Sequence, residues 1–244
     1  MIREIQRRGS ISVAELAALF QVSEVTVRND LRDIAEEGWI QRTHGGAMVP
    51  AVGQPSVGWE ARAHEQSEEK EAIGILAATL VQPGETVLLD YGTTLHRMAA
   101  HIGDVDRLTC VCLDPAVAAV ASRSPLVNVV LTGGYCRGDL QLWGPVALRT
   151  IEEFAPADRA FVGVSGISRE KGLTTGFFPG VATKQALVRA AREVVVVADS
   201  TKLTGAGPYW FDDLSLIHTV VTTSTAPLSA VTALREAGLE VLVA

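Results

Sequence analysis

Apolar residues recur along this chain at two different periods, and the change from one to the other divides it. Up to residue 49 the spacing is helical and the segments are short. Ile2, Ile5 and Gln6 open a first helical face that ends at Gly9. Ser12-Val-Ala-Glu15 follows, a Ser-x-x-Glu pattern in which the hydroxyl takes an orphan backbone N–H while the glutamate reaches back. Leu16, Leu19 and Phe20 continue it at helical spacing. After Gln21-Val22, Ser23 is placed to cap a third helix through Glu37, with Val27, Leu31 and Ile34 on its core side and Gly38 closing it. Trp39 to Gly46 reads as a β-hairpin wing.

Residues 50–66 are rich in proline, glycine and small side chains, the composition of a linker. From Ser67 onward the rhythm is different. A helix over 67–81 leads into the strand Glu85–Asp90, and further strand-like runs lie at 108–113, 127–132, 159–164, 193–198, 219–223 and 240–243. Helical segments at 94–101, 115–122, 145–153, 183–192 and 227–237 separate most of them. Short apolar runs alternating with amphipathic helices predict an α/β domain over 67–244 with a largely parallel sheet.

The chain has 244 residues, 48% apolar and 20% charged, which is ample for a hydrophobic core. The charged start Met1-Ile-Arg-Glu-Ile-Gln-Arg-Arg8 is no secretory signal, and no apolar run approaches the roughly 18 residues of a membrane span. Cys110, Cys112 and Cys136 are odd in number and lack paired zinc spacing, which speaks against a disulfide scaffold or a cysteine zinc site. A cytoplasmic protein without membrane contact is expected. The net charge of −7 disfavours polyanion binding over the whole surface. Residues 1–49, however, hold six arginines and no lysine against seven acids, so any nucleic-acid role rests on where those arginines stand.

Their placement is informative. A three-residue connection between the second and third helices suits a helix-turn-helix. The third helix offers Arg28, Asn29 and Arg32, the residue types that make bidentate contacts to guanine and adenine edges in the major groove. Ser23 and Thr26 stand where a helix entrance meets phosphates, and Arg42 and His44 of the wing are available to the backbone. Any small helical bundle also shows polar residues outward; it is the combination of capping box, short turn, reading helix and basic wing that favours DNA.

In an open α/β sheet, ligands bind at the carboxyl ends of strands. Asp90-Tyr-Gly-Thr-Thr94 follows the first strand and opens a helix; Gly92 permits a tight turn, and Thr93 and Thr94 add N–H and hydroxyl donors, either as a phosphate cradle or as a plain N-cap turn. Thr132-Gly133-Gly134 and Gly163-Val-Ser-Gly166 end two further strands and allow close backbone approach. After the strand at 193–198, Asp199 offers an acceptor for sugar hydroxyls and Lys202 a point charge for phosphate. Lys184 is a second cation, although read alone it is a solvated helix-face lysine. Together the set predicts a site for a small phosphorylated polyol. No Gly-x-Gly-x-x-Gly follows a strand, no Walker loop is present, and His96, His101 and His218 lack metal-ligand spacing, so neither cofactor nor metal is implied.

At this point the residues resemble a family. Val13-Ala-Glu-Leu-Ala-Ala-Leu-Phe-Gln-Val-Ser-Glu-Val-Thr-Val-Arg-Asn-Asp-Leu31 with His44-Gly-Gly-Ala47 is similar to the DeoR family of bacterial transcription regulators. So are Asp90-x-Gly-Thr-Thr, Thr132-Gly-Gly, Asp158-x-Ala-Phe-Val-Gly, Gly172-Leu-Thr and Asp199-Ser-Thr-Lys. The resemblance runs nearly end to end. It implies a winged helix-turn-helix joined to a domain resembling ribose-5-phosphate isomerase, which binds a phosphorylated sugar or polyol and tunes affinity for double-stranded operator DNA. Asp90, Thr93, Thr94, Lys184, Asp199 and Lys202 would then be effector contacts. Asn29, Cys112-Leu-Asp114 and Gly180-Val181 depart from the family pattern. Operator half-site symmetry implies a homo-oligomer, dimer or tetramer. The rival reading is a sugar-phosphate isomerase with a helical cap. Its weakness is the absence of a carboxylate from the turn 163–166, although Asp90 and Asp199 could serve as bases. A pure protein-interaction module leaves the Asp/Thr/Gly/Lys set unexplained.

Overall fold

Ser12 ends a three-residue strand, β1 (Ser10–Ser12), and starts helix α1 (Val13–Phe20). Its hydroxyl accepts from the Glu15 N–H (3.2 Å), and the Glu15 carboxylate accepts from the Ser12 N–H (2.9 Å), which is the reciprocal cap expected from the pattern. Gln21 ends α1 in the left-handed conformation. Helix α2 (Glu24–Glu36), the one expected third in the chain, begins where the Ser23 hydroxyl accepts from the Thr26 N–H at 3.1 Å. Strands β2 (Gln41–Thr43) and β3 (Gly46–Met48) pair antiparallel, and β1 joins them in the order β1-β3-β2. Ile5, Val13, Leu16, Val27, Leu31, Ile40 and Ala47 form the core of this unit. Ile34 packs against it, whereas Leu19 and Phe20 are largely exposed because the last turn of α1 lies outside that core. β1 escapes prediction because three residues are too few to show an alternation.

The structure, a computed structural model, describes residues 1, 4–5, 8, 10–36, 40–43, 45–48, 57–136 and 141–244. Ile2, Gln6, Gly9, Gly38, Trp39, His44 and the first part of the expected linker, residues 50–56, lie outside them. The second part of that linker is in fact helical, α3 (Val57–His64). Both of the stretch's prolines, Pro50 and Pro55, precede the helix, while Trp59 to Gln66 contains neither proline nor glycine. The chain divides into two units, residues 1–65 with 136–140, and residues 66–135 with 141–244.

In the second unit, α4 (Ser67–Ala78) leads to β4 (Thr86–Leu89), α5 (Thr93–Ala99), β5 (Leu108–Cys112), α6 (Pro115–Ala121) and β6 (Val127–Leu131). The short β7 (Tyr135–Cys136) and β8 (Leu142–Trp143) flank residues 137–140 and precede α7 (Pro145–Glu153). Next come β9 (Ala157–Gly163), β10 (Gly166–Ser168), β11 (Gly172–Thr175), α8 (Val181–Ala190), β12 (Ala191–Val197) and β13 (Tyr209–Asp212). β14 (Thr219–Thr222), α9 (Leu228–Glu236) and β15 (Glu240–Val243) complete the domain.

Seven strands make one sheet in the order β6-β5-β4-β9-β12-β14-β15, and every pairing is parallel. Alternation along β12 feeds two cores. Val194 and Val196 pack with Ile151, Leu187 and Leu234 of α7, α8 and α9, while Val195 and Val197 pack with Ile73, Met98 and Val117 of α4, α5 and α6. Cover on both faces is why these strands are continuous apolar runs rather than alternating ones. β10, β11 and β13 form a separate antiparallel sheet that the apolar pattern did not reveal.

The order carries a functional consequence. The chain walks outward from β4 to β5 and β6, then returns to lay β9 on the other side of β4. The carboxyl ends of β4 and β9 therefore flank the switch point, the place at which open α/β sheets generally bind ligands.

Candidate functional site

Asp90 and Gly163 stand at that switch point, one just past β4 and the other closing β9. Asp90 is fully buried; its Oδ2 accepts from the Gly163 N–H (3.0 Å) and from the Lys184 ammonium. Lys184 also donates to the Gly163 carbonyl (2.7 Å) and lies 4.5 Å from the Tyr91 ring centroid. At 2% exposure it is not the solvated helix-face lysine that its position alone suggests. α8 packs onto the sheet and delivers it to the strand ends. A buried ammonium satisfied by carboxylate, carbonyl and ring is a rigid electrostatic fixture, and Asp90 Oδ1 remains buried without a partner among the described residues.

Around this pair the other predicted residues are distributed unevenly. Gly92 takes a φ of +119° before α5, and its N–H donates to Asp114 Oδ2 (3.1 Å). Thr93 and Thr94 are the buried first residues of α5. Thr132 sits level with Asp90 two strands away, about 10 Å by strand spacing, the span of a phosphorylated sugar. Gly134 serves the protein itself: φ is +107°, and a Cβ there would stand 2.5 Å from the Trp143 carbonyl oxygen. Gly133 precedes it at φ +69°. Gly166 lies in the antiparallel sheet, where a Cβ would meet Ala206 Cα at 2.6 Å, so its bareness admits neighbouring backbone.

Val197 pairs with Gly163, which puts Asp199 two residues beyond the switch point on the adjacent strand. Asp199 Oδ1 accepts from the Thr201 N–H (3.1 Å) and hydroxyl, capping a single helical turn at Ser200–Leu203. Lys202 Nζ is 4.0 Å from Asp199 Oδ2 and partly exposed, which leaves it donors for an anion. Beneath this loop, Glu69 of α4 accepts from the Ser200 N–H and from the hydroxyls of Ser200, Thr223 and Thr225 at 2.8–3.0 Å. Burial pushes its carboxyl up, but these bonds outweigh it and hold it below the usual range.

On the N-terminal unit, Val27 and Leu31 turn α2 inward, leaving Arg28, Asn29 and Arg32 exposed. Arg28 pairs with Glu24 at 2.8 Å and Arg32 with Asp33 at 3.5 Å, both in solvent. Such pairs are worth about 0.5 kcal/mol, against about 1–3 kcal/mol for a bidentate base contact, so they do not withhold either arginine from DNA. The Ser23 and Thr26 hydroxyls bond each other at 2.9 Å at the helix entrance, and Arg42 projects from β2. Val25 is 68% exposed on the same helix, off the period of its apolar face.

Comparison with known proteins matches residues 1–51 to the DeoR-like helix-turn-helix domain and residues 65–224 to the DeoR C terminal sensor domain. The transcriptional repressor GlcR of Bacillus subtilis is 31% identical over 98% of this chain and 92% of its own. The glycerol-3-phosphate regulon repressor of Escherichia coli is 30% identical over 97% and 93%. The chain belongs to the DeoR family. Among solved structures, a ribose-5-phosphate isomerase in complex with phospho-erythronic acid superposes with a TM-score of 0.43, 13% identity and coverage of 56% of this chain and 53% of that one.

Membership of the DeoR family makes this a DNA-binding transcriptional regulator and not an enzyme. Among the described residues no helix is long and apolar enough to cross a membrane. Some residues of this domain have roles that the sequence did not reveal. Asp114, which the sequence marks only as part of a departure from the family pattern, is one, although Asp-Pro ahead of an apolar run is a helix-start signal. It caps α6 through the Ala116 N–H (2.7 Å) while holding Gly92. Gln141 and Thr183 are buried polar residues that no motif marked.

Asp114 also titrates abnormally. Burial pushes its carboxyl up to about 6, aided by Asp90, against the pull of the Gly92, Ala116 and Val117 N–H groups. The folded chain thus keeps a proton that the unfolded chain releases near pH 4. Stability should fall as pH rises from about 4 to 6, by on the order of 3 kcal/mol, with the cost fully present above 6. Urea unfolding across that window should show the slope in the wild type and lose this component in Asp114→Asn. Equal slopes would mean that another group sets it.

Proposed function

We propose that this DeoR-family protein represses a sugar or polyol catabolic operon and that a phosphorylated sugar or polyol modulates its grip on the operator. In this reading residues 1–49 bind duplex DNA: Arg28, Asn29 and Arg32 meet base edges, and Ser23, Thr26, Arg42 and His44 meet phosphates. Val25 suits contact with a thymine methyl. Residues 67–244 take the effector at the switch point. Asp90 and Lys184 orient it, Thr93, Thr94 and Lys202 hold phosphate, Thr132, Gly133, Gly134, Gly163 and Gly166 shape the loops, and Asp199 faces hydroxyls. A homo-oligomer, dimer or tetramer, matches two-fold operators.

The observation that carries the ligand half is the buried Lys184–Asp90 pair with an unpartnered carboxylate oxygen at the switch point of a parallel sheet. The same geometry supports binding over catalysis: Asp90 Oδ2 is committed to Lys184 and the Gly163 N–H, and residues 163–166 contain no acid. The relatives' names support the carbohydrate assignment, one being a glycerol-3-phosphate regulon repressor.

The experiment is a mobility shift on DNA upstream of the protein's own gene cluster, repeated with phosphorylated sugars and polyols, beside thermal denaturation. An effector at 100 times its dissociation constant should add about 2.7 kcal/mol of stability and alter the shift. Stabilisation by free sugars but by no phosphorylated one would overturn the phosphate assignment.

A further inference from the structure

Gln141 is 1% exposed, yet neither amide atom has a hydrogen-bond partner among the described residues. Its backbone neighbour explains its position: the Leu142 N–H donates to the Leu113 carbonyl at 2.7 Å, which brings Gln141 near the carboxyl end of β5. Its amide lies against Gly180. A Cβ on that glycine would stand 2.5 Å from Gln141 Oε1 and 2.8 Å from Cδ. Gly180 is the residue before α8, and no side chain caps that helix. Thr183, in the first turn, is likewise 1% exposed with its hydroxyl unpartnered among the described residues. Lys184 follows it and reaches Asp90.

Buried polar groups are almost always satisfied, so an amide and a hydroxyl left open where the 3-10 turn Phe178–Gly180 runs into α8 mark a place for an absent partner. The chemistry of that partner is constrained. An amide presents a donor and an acceptor side by side. The dianion of a phosphate monoester has acceptors only and would set oxygen against Oε1. Neighbouring hydroxyls fit both: one accepts from Nε2 and another donates to Oε1, with Thr183 available to either.

We propose that Gln141, ahead of β8, and Thr183, on the N-terminal turn of α8, form the subsite that recognises the hydroxyl-bearing end of the effector and sets its specificity. The inference rests on the effector site proposed above and assigns the end of the ligand remote from the phosphate. Glycine at 180 is part of the device, because any side chain there would occupy the space of the Gln141 amide.

The test uses the full-length chain with Gln141→Leu, Thr183→Val and Gly180→Ala, and as probes inorganic phosphate, glycerol 3-phosphate, ribose 5-phosphate, fructose 6-phosphate and glucose 6-phosphate. In the wild type at least one polyhydroxylated probe should bind at least tenfold more tightly than inorganic phosphate. Gln141→Leu should erase that preference while leaving inorganic phosphate binding unchanged, and should melt no lower than wild type without ligand, since it removes an orphaned amide. Gly180→Ala should reproduce the loss of preference, and Thr183→Val should reduce it. Retained preference in Gln141→Leu would overturn the subsite, as would a lower melting temperature without ligand, which would reveal a structural partner for the amide. Phosphate binding without any gain from hydroxyls would also overturn it while leaving the phosphate-binding reading intact. A wild type that binds none of the probes, phosphate included, would sink both.

Discussion

Lys184→Met is expected to cost about 3–5 kcal/mol of stability, because it leaves the fully buried Asp90 carboxylate without its cation. For a chain of this size that lowers the melting temperature by about 10 °C. Pairing it with Asp90→Leu should restore most of the loss, since two apolar groups of similar volume remove the uncompensated charge. The double variant should nevertheless be blind to effector. Thermal and urea unfolding of the three proteins decides the matter: wild-type stability in Lys184→Met would mean that the ammonium is not the partner the geometry makes it.

The second large effect concerns α2, the proposed reading helix. Arg28→Ala with Arg32→Ala should weaken operator binding by about 2–6 kcal/mol, one to four orders of magnitude in affinity, at constant salt. Melting should barely change, because both side chains are more than half exposed and their ion pairs are marginal. Mobility shifts with competitor DNA separate the two terms. Specific binding that survives the double change would remove α2 from its role.

Both predictions draw on residues visible in the sequence, but for different reasons. The winged unit was legible because its signals are local: Ser12 with Glu15, Ser23 with Thr26, and the inward Val27 and Leu31 lie within a few positions of one another. The parallel domain was legible as alternating apolar runs and helices. Strand order was not, because parallel strands are joined through helices and their adjacency leaves no mark in spacing. Hence Asp90 and Lys184 could be named as polar residues at element ends but not as partners, being 94 positions apart. The antiparallel strands β10, β11 and β13 were missed because runs of three or four residues rich in glycine, threonine and aromatics carry no clear period. Gln141 follows residues that match no motif, and what makes it a candidate, burial without partners, exists only once Gly180 is folded against it.

The spread of the switch-point residues along the chain also orders events during synthesis. Helix α2 and its core draw on contacts within the first 48 positions. The proposed effector site needs Asp90, Gly163, Lys184 and Asp199, so it cannot form until about 200 residues have left the ribosome. At about 5–20 residues per second, that interval lasts from several seconds to about half a minute. A nascent or prematurely ended polypeptide would thus carry the proposed operator-reading helix without the proposed effector site.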